Sequence, residues 1–361
     1  MILTYKYRIK DRSARKTLRR HAYAINQVWN YCVNHQREVQ ARYRSGAPPR
    51  RWPSKFDLAH LTAGSSKELG IHSQSIGEVC HQFVLSRDTW GRAPRFRASS
   101  GSGRSLGWIP FRDRSRQVVG NCVSYLGKRF RFWEGGRPVP AAAKGGCFVE
   151  DARGRWYVCF QVECSDGLPC GTGIIGIDLG LRSLAACSNG ELISAQRHYR
   201  QHEKKLATAQ RAGNQGRVKA IHAEIANARR DYLHKATTKI AQENKFIVVG
   251  DVRPTEIVGR GMAKSVLDAS WSAFRNLLRY KASRHGAIYV EADERMTSQL
   301  CSGCGAPSGP KGIAQLGIRH WECGDCGAVH DRDVNAAVNI LNVALSAQRL
   351  AEESRGLVST G

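Results

Sequence analysis

Four cysteines near the end of the sequence constrain this chain more than any other feature. They form two close pairs, Cys301-Ser-Gly-Cys304 and Cys323-Gly-Asp-Cys326, with eighteen residues between them. This is the spacing of a zinc ribbon, in which each pair sits at the tip of a tight turn and four thiolates close a tetrahedron around one Zn²⁺. The bland alternative, four reduced and partly exposed thiols, leaves reactive groups with nothing to do. Cys301, Cys304, Cys323 and Cys326 are therefore expected to hold zinc. With all four positions taken by protein thiolates, no place remains for a reacting water, so the zinc is expected to be structural. His320 and His330 flank the ribbon and are expected at the surface or beside the ligands. The eight other cysteines are scattered, and a reducing compartment makes them small buried hydrophobes without a role.

Charge narrows the partner. The 361 residues carry a net +26. Residues 1–150 hold 28 Lys and Arg against 9 Asp and Glu, whereas residues 151–361 hold 28 against 21. An excess of one sign on that scale in the first part of the chain points to a polyanion partner, with nucleic acid the expectation. No basic amphipathic helix with a clean apolar face favours a membrane surface instead. No run of eighteen apolar residues could span a bilayer. The start, Met1-Ile-Leu-Thr-Tyr-Lys-Tyr-Arg-Ile-Lys10, alternates like a strand and lacks a signal-peptide core. The expectation is a cytoplasmic, bacterial-type chain associated with the nucleoid.

Periodicity divides the first half. Residues 3–9 read as a strand and 13–43 as a helix, with Leu18, Ala22, Ile25, Val28, Trp29 and Cys32 at helical spacing. Arg15, Lys16, Arg19 and Arg20 lie on its other face and suit phosphate contact. After a turn-rich stretch at 45–54, a second helical stretch is expected from about Lys55 to Asp88, broken near Gly70. Strands follow at Leu106–Phe111, Cys122–Tyr125, Lys128–Trp133, Cys147–Glu150 and Arg155–Glu163. Lys128-Arg-Phe-Arg-Phe-Trp133 alternates basic and aromatic residues, which suits a core face of rings and a wet face of arginines, or a stacking platform for bases. Together these elements give a β-barrel with a helical insertion.

The second half reads as α/β. A strand Gly173-Ile-Ile-Gly-Ile-Asp178-Leu-Gly180 leads to a pairing strand at Ser183–Ser188 and an Asn189-Gly190 turn. A polar helical pair is expected over 197–243, interrupted near Gly213–Gly216. His234 on it is expected to pack or to meet nucleic-acid backbone. Then come a strand Lys245–Gly250, a helix Ala263–Arg284, a strand Ala287–Ala292 and, after the ribbon, a short final helix Val334–Ala344. Asp178 ends an apolar strand, where a charge is costly unless it faces a crevice or a cation. Asp333 stands where the final helix begins. Carboxylates from a strand end and a helix start can converge on paired Mg²⁺ ions, which clamp the attacking and leaving oxygens of a phosphodiester. A ribbon set directly before such an acid suggests an insert in a nuclease domain.

Gly-Ile-Asp178-Leu-Gly, Ile247-Val-Val-Gly250-Asp251-Val, Met296-Thr-Ser-Gln299, the two Cys pairs and Asp331-Arg-Asp333-Val-Asn-Ala-Ala together resemble the TnpB family. Asp231-Tyr-Leu-His234-Lys, Pro94-Arg-Phe-Arg97 and Tyr5-Lys-Tyr-Arg-Ile resemble it too. These are transposon-encoded, RNA-guided nucleases, to which type V CRISPR effectors are similar. The resemblance implies a RuvC-like nuclease domain of RNase H fold over residues 173–341, with the ribbon inserted at 297–330 and a C-terminal tail at 342–361, of which Gln348–Gly361 is expected to be mobile as a chain terminus. It implies a wedge-like barrel over 1–165, with a helical recognition insert at about 13–90. That first domain would bind a guide RNA and the DNA flank, so that pairing reads the double-stranded DNA target while the protein reads a short adjacent motif. One protein copy per RNA complex is expected. The family's first and third catalytic acids carry over onto Asp178 and Asp333, with Mg²⁺ as the catalytic cofactor. Asp331 is expected to be structural.

The sequence departs from the family at the second acid. A glutamate usually ends the second catalytic strand, and here Gly250 stands there. Three readings compete. Glu294, just past the neighbouring strand and in phase with Ile288, Val290 and Ala292, could supply the carboxylate, giving Asp178, Glu294 and Asp333 as the metal-holding set. Asp251 or Glu256 could substitute, although Asp251 needs a bulge to reach the same face. Or cleavage is lost, leaving an RNA-guided DNA-binding repressor. A zinc-ribbon nucleic-acid protein with no guide is a further reading, opposed by the size and charge of the first domain.

Overall fold

The computed structural model describes residues 2–45, 52–112, 116–140, 143–164, 167–252, 270–311, 315 and 317–358, with side chains as far as 348. It divides into two compact units, Met1–Cys164 and Ser165–Gly361. Among the described residues, no helix is long and apolar enough to cross a membrane.

The first unit is built on a seven-stranded antiparallel sheet in the order β2-β6-β7-β1-β5-β4-β3. Its strands are β1 (Ile2–Ile9), β2 (Trp108–Arg112), β3 (Arg116–Val119), β4 (Cys122–Tyr125), β5 (Lys128–Trp133), β6 (Ala143–Glu150) and β7 (Trp156–Glu163). Strand alternation builds the core. Tyr7, Phe111, Phe130, Phe132, Phe148 and Phe160 all point inward and are at most 2 % exposed. The sheet is thus nearly closed around an aromatic interior, and its polar alternates stay wet. Phe130 and Phe132 are core residues, while Trp133 at the end of the same strand is 60 % exposed.

Helix α1 (Ala14–Arg44) lays Leu18, Ile25, Val28, Cys32 and Val33 on this core. The single helical stretch expected over 55–88 is three helices: α2 (Lys55–Leu61), α3 (Ser65–Leu69) and α4 (Ser73–Trp90). Ser54 and Asp57 cap α2 reciprocally, and Gly70 adopts φ +61°. Strand β3 has no clear sequence signal, because its four residues alternate half-buried and exposed without an apolar face.

The second unit holds a five-stranded mixed sheet in the order β10-β9-β8-β11-β12. Strands β8 (Gly173–Leu179), β9 (Ser183–Cys187) and β10 (Leu192–Ser194) form an antiparallel meander. Strands β11 (Asn244–Gly250) and β12 (Ile288–Ala292) extend it in parallel from the other edge of β8. Helices α5 (His198–Arg211) and α6 (Gln215–Glu243) form a hairpin before β11, with Gly213 at φ +61° in its turn. Helix α7 (Trp271–Arg284) connects β11 to β12, and residues 263–269 of the expected helix lie outside the described residues.

The two faces of the sheet are covered differently. Ile175, Ile177, Ile247 and Val249 pack towards α6 and α7. Val248 and Ala292 pack against Ile340 and Leu341 of the last helix, α8 (Arg332–Val358). This helix runs well past the expected stop at Ala344, because Ala, Leu, Arg and Glu after that point are good helix formers.

Candidate active site

Alternation along β8 decides where Asp178 points. Gly176, two residues earlier, lies against α8 so closely that a Cβ there would collide with the Ala337 carbonyl. Asp178 is on the same face. Glycine on the strand and Ala336 and Ala337 on the helix let α8 approach the sheet, which brings the start of α8 near the end of β8. Asp331 caps this helix: its Oδ1 accepts the Asp333 and Val334 N–H groups at 2.9 and 3.0 Å. Asp333 follows in the first turn of α8 and is free of the capping task.

Gly250 ends β11 opposite Ala292 of β12. The chain turns after Ala292, and the Glu294 side chain lies over Gly250. A Cβ placed on Gly250 would be 3.1 Å from Glu294 Oε2 and 3.1 Å from Ile340 Cδ1. The space that a side chain at 250 would need is therefore taken by the Glu294 carboxylate. Asp251 cannot do the same. Its N–H continues the ladder to Ala292 O at 3.0 Å, with no bulge, so its side chain stays on the far face. Glu256 lies outside the described residues.

Asp178, Glu294 and Asp333 are thus on one side of the sheet and within electrostatic reach of one another. Burial, followed by the Glu294 and Asp333 charges, pushes the Asp178 pKa up to about 7. Arg332 and Arg319 offset part of this. Arg319 also holds Asp333 directly, donating from Nη1 to Oδ1 at 2.8 Å and to Oδ2 at 3.1 Å. The three carboxylates are not drawn into a tight cluster. Among the described residues, the only group of three or more His, Cys, Asp or Glu whose ligand atoms all lie within 4.8 Å of one another is the set of four cysteines.

That set gathers four thiols, all within 4.8 Å of one another, as one tetrahedral metal ion would require. Cys301 Sγ lies 3.7 Å from Cys326 Sγ, and Cys304 Sγ lies 3.6 Å from Cys323 Sγ. A tetrahedron with Zn–S bonds of about 2.3 Å has edges of about 3.8 Å. Each pair sits in a matching knuckle. Cys301 O accepts from Gly305 N and Cys323 O accepts from Gly327 N, and both glycines have positive φ. Two further groups touch the thiols: His330 Nε2 at 3.0 Å from Cys301 Sγ, and Ser308 Oγ at 3.0 Å from Cys323 Sγ. His330 is accordingly beside the ligands, its ring 4.7 Å from Trp321. His320 lies on β13 (His320–Glu322), which pairs with β14 (Val329–Asp331), and is exposed.

The ribbon is fastened to the acidic site by amides. Asn335 Nδ2 and Asn339 Nδ2, one turn apart on α8, both donate to Thr297 O and Leu300 O, while Asn335 Oδ1 accepts from Ser302 N. Thr297 in turn donates its hydroxyl to Glu294 O at 2.7 Å. These asparagines could have been read from their i, i+4 spacing, which puts them on one face of α8. Arg319 could not, since fourteen residues separate it from Asp333 with no periodic relation. His234 is half-buried, and its carbonyl accepts from Lys281 Nζ at 2.6 Å. Outside the ribbon, none of the eight cysteines is exposed.

Residues 157–259 match the family model OrfB_IS605, described as "Probable transposase", and residues 271–340 match that of the Cas12f1-like TNB domain. A mimivirus protein named "TnpB-like protein L79" is 27 % identical over 136 residues, which is 36 % of this chain and 25 % of its own. A Streptomyces pristinaespiralis protein named "Putative RNA-guided DNA endonuclease" is 33 % identical over 334 residues, covering 86 % of this chain and 80 % of its own. The chain belongs to the TnpB family. Another relative, InsQ of Escherichia coli K12, bears the same description and is 27 % identical over 65 % of this chain and 60 % of its own. Among solved structures, a chain of the cryo-EM Cas12f1–sgRNA–target DNA complex aligns with a TM-score of 0.58 at 13 % identity, over 92 % of this TnpB-family chain and 83 % of its own. That likeness is one of fold.

Proposed function

We propose that this protein is the RNA-guided DNA endonuclease of a transposon, cutting double-stranded DNA beside a short adjacent motif by metal-dependent phosphodiester hydrolysis. The observation that carries the reading is the Glu294 carboxylate lying in the space that a side chain at Gly250 would need. A carboxylate thereby returns to the end of the second catalytic strand, although the residue at that position has none. The β10-β9-β8-β11-β12 order, with three antiparallel strands and two parallel ones, supports a RuvC-like RNase H fold for the second unit.

Asp178, Glu294 and Asp333 would hold Mg²⁺; burial first, and then the Glu294 and Asp333 charges, raise the Asp178 pKa, which fits a site that accepts a divalent cation. Bound magnesium supplies the Lewis acidity that activates water and stabilises the leaving oxygen. The protein's part is to hold the carboxylates on rigid elements: Asp178 on β8, Asp333 on capped α8, and Glu294 through Thr297 and the two asparagines. Arg319 neutralises Asp333, which lowers the cost of gathering three negative charges in one place. Cys301, Cys304, Cys323 and Cys326 would carry a structural Zn²⁺ that fixes the ribbon and, with it, Arg319. The first unit would be the wedge-like barrel and recognition insert that bind guide RNA and the DNA flank, one protein copy to a complex.

The test is a plasmid library with randomised flanks, challenged by the protein copurified with RNA from its own locus. Cleavage next to one motif in Mg²⁺, and none in chelator, is expected. Specific binding with no cleavage under any metal would replace the reading with that of a DNA-binding repressor.

A further inference from the structure

The second unit is electrically neutral except in one place. Its α5–α6 hairpin, residues 197–243, holds 11 Lys and Arg against 4 Asp and Glu, while residues 165–196 and 244–361 together hold 15 against 15. The whole net charge of the unit sits on this hairpin. The two helices are joined by a small core of their own, Leu206, Ala209, Ile221 and Ile225, distinct from the core against the sheet. This core holds the two helices together through apolar contact.

Lys204 and Arg211 are seven residues apart on α5, and Lys219 and Arg230 are eleven apart on α6. These separations are about two and three turns, so each pair shares a helix face. These four side chains and that of Lys205 are exposed, and none makes a hydrogen bond or ion pair with the described residues. Solvated helices usually interleave both signs. Arg217, Lys235 and Lys239 pair with Glu224, Asp231 and Glu191, whereas these five cations have no such partner among the described residues, and a bound polyanion would relieve their repulsion.

The hairpin also lacks what unpaired bases need. Among the described residues, no large apolar side chain is exposed between Leu192 and Ile288. The first unit, by contrast, exposes Trp52, Trp90 and Trp133. Single strands are gripped by stacking on aromatic faces, whereas duplexes are held without base contact through their phosphates. We infer that the α5–α6 hairpin is an arm that grips the phosphate backbone of a nucleic-acid duplex, independent of sequence. This goes beyond the proposed endonuclease function, since it assigns a nucleic-acid contact to the second unit whichever carboxylates cut.

The test uses the full chain and two labelled probes, an RNA–DNA hybrid of about 20 base pairs and a single-stranded RNA of the same length. Binding is followed by fluorescence anisotropy from roughly 50 to 300 mM KCl. The variant carries Lys204→Gln, Lys205→Gln, Arg211→Gln, Lys219→Gln and Arg230→Gln. Its hybrid affinity should fall ~10- to 100-fold, and the slope of log K against log salt should become shallower by ~3 to 4, at about 0.9 for each phosphate no longer neutralised. Single-strand binding should change by less than about threefold, because the stacking surfaces of the first unit are untouched. A control exchanging Lys for Arg and Arg for Lys at the same five positions should keep the wild-type slope. An unchanged slope in the Gln variant, or an equal loss on both probes, would overturn the arm. Wild-type protein that grips the hybrid with the expected slope but never cuts would leave the arm standing and remove the endonuclease reading instead.

Discussion

Asp178→Asn should make the magnesium-free protein more stable, although it removes a residue of the candidate active site. Burial and the neighbouring Glu294 and Asp333 charges raise the Asp178 pKa from 3.8 to about 7 in the folded chain. In the unfolded chain the same group titrates near its ordinary value. The folded state therefore binds the proton more tightly. The contribution of this one group to stability is greatest below about pH 4, declines as pH rises towards 7, and is lowest above that. About three units at ~1.4 kcal/mol each set a ceiling of ~4 kcal/mol at pH 8. The amide of the variant is still a buried polar group that loses water and gives up the attraction of Arg332 and Arg319, so a gain of ~2 kcal/mol is expected. For a unit of this size, that is a rise of ~4 to 8 °C in its melting transition. The assay is thermal unfolding without magnesium at pH 8 and near pH 4, for wild type and Asp178→Asn. The variant should melt higher at pH 8, and the difference should close at the lower pH. Millimolar Mg²⁺ should raise the wild type more than the variant. A variant that melts at or below wild type at pH 8 would refute the argument that these carboxylates repel one another.

Three further outcomes follow from the same geometry. Moving the carboxylate back to its usual strand, with Gly250→Glu and Glu294→Ala together, should restore part of the cutting lost in Glu294→Ala alone, whereas Gly250→Glu by itself should crowd the site and impair it; cleavage rates of the three variants check this. Asn335→Ala removes donors to Thr297 O and Leu300 O and should cost ~1 to 3 kcal/mol, read as faster proteolysis near the ribbon together with a lower melting temperature. Gly176→Ala should drive α8 away from β8 and cost ~2 kcal/mol or more, seen as a lower melting temperature that Val334→Ala, farther along α8 from that contact, does not reproduce.

How much of this was legible in the sequence depended on which physical rule governed each part. Strict alternation exposed the barrel strands, since Phe130 and Phe132 had to face one way and Arg129 and Arg131 the other. The same alternation put Glu294 in phase with Ala292 and hence on the Gly250 face. The cysteine spacing foretold the two knuckles because the turn geometry leaves little choice. Other features depended on long-range packing. Strand β3 is recognisable only by its pairing with β4. Helix α8 outruns its expected stop at Ala344, as no proline or glycine follows before Gly356. The Arg319–Asp333 pair exists because the ribbon folds back on α8, and no local pattern encodes that return. In the sequence the three helices over 55–90 look like one stretch broken at Gly70; the Ser54–Asp57 capping box and the turn after Leu61 stand out in the structure.

The most direct test of the account is a comparison of wild type with Glu294→Ala, each with the same guide RNA, on one matched target in Mg²⁺. Binding to the target should be equal, and cutting should fall by ~100-fold or more in the variant, the loss expected of a carboxylate that would hold the catalytic metal. Equal cutting by both would contradict the central claim that the Glu294 carboxylate, seated over Gly250, completes the active site.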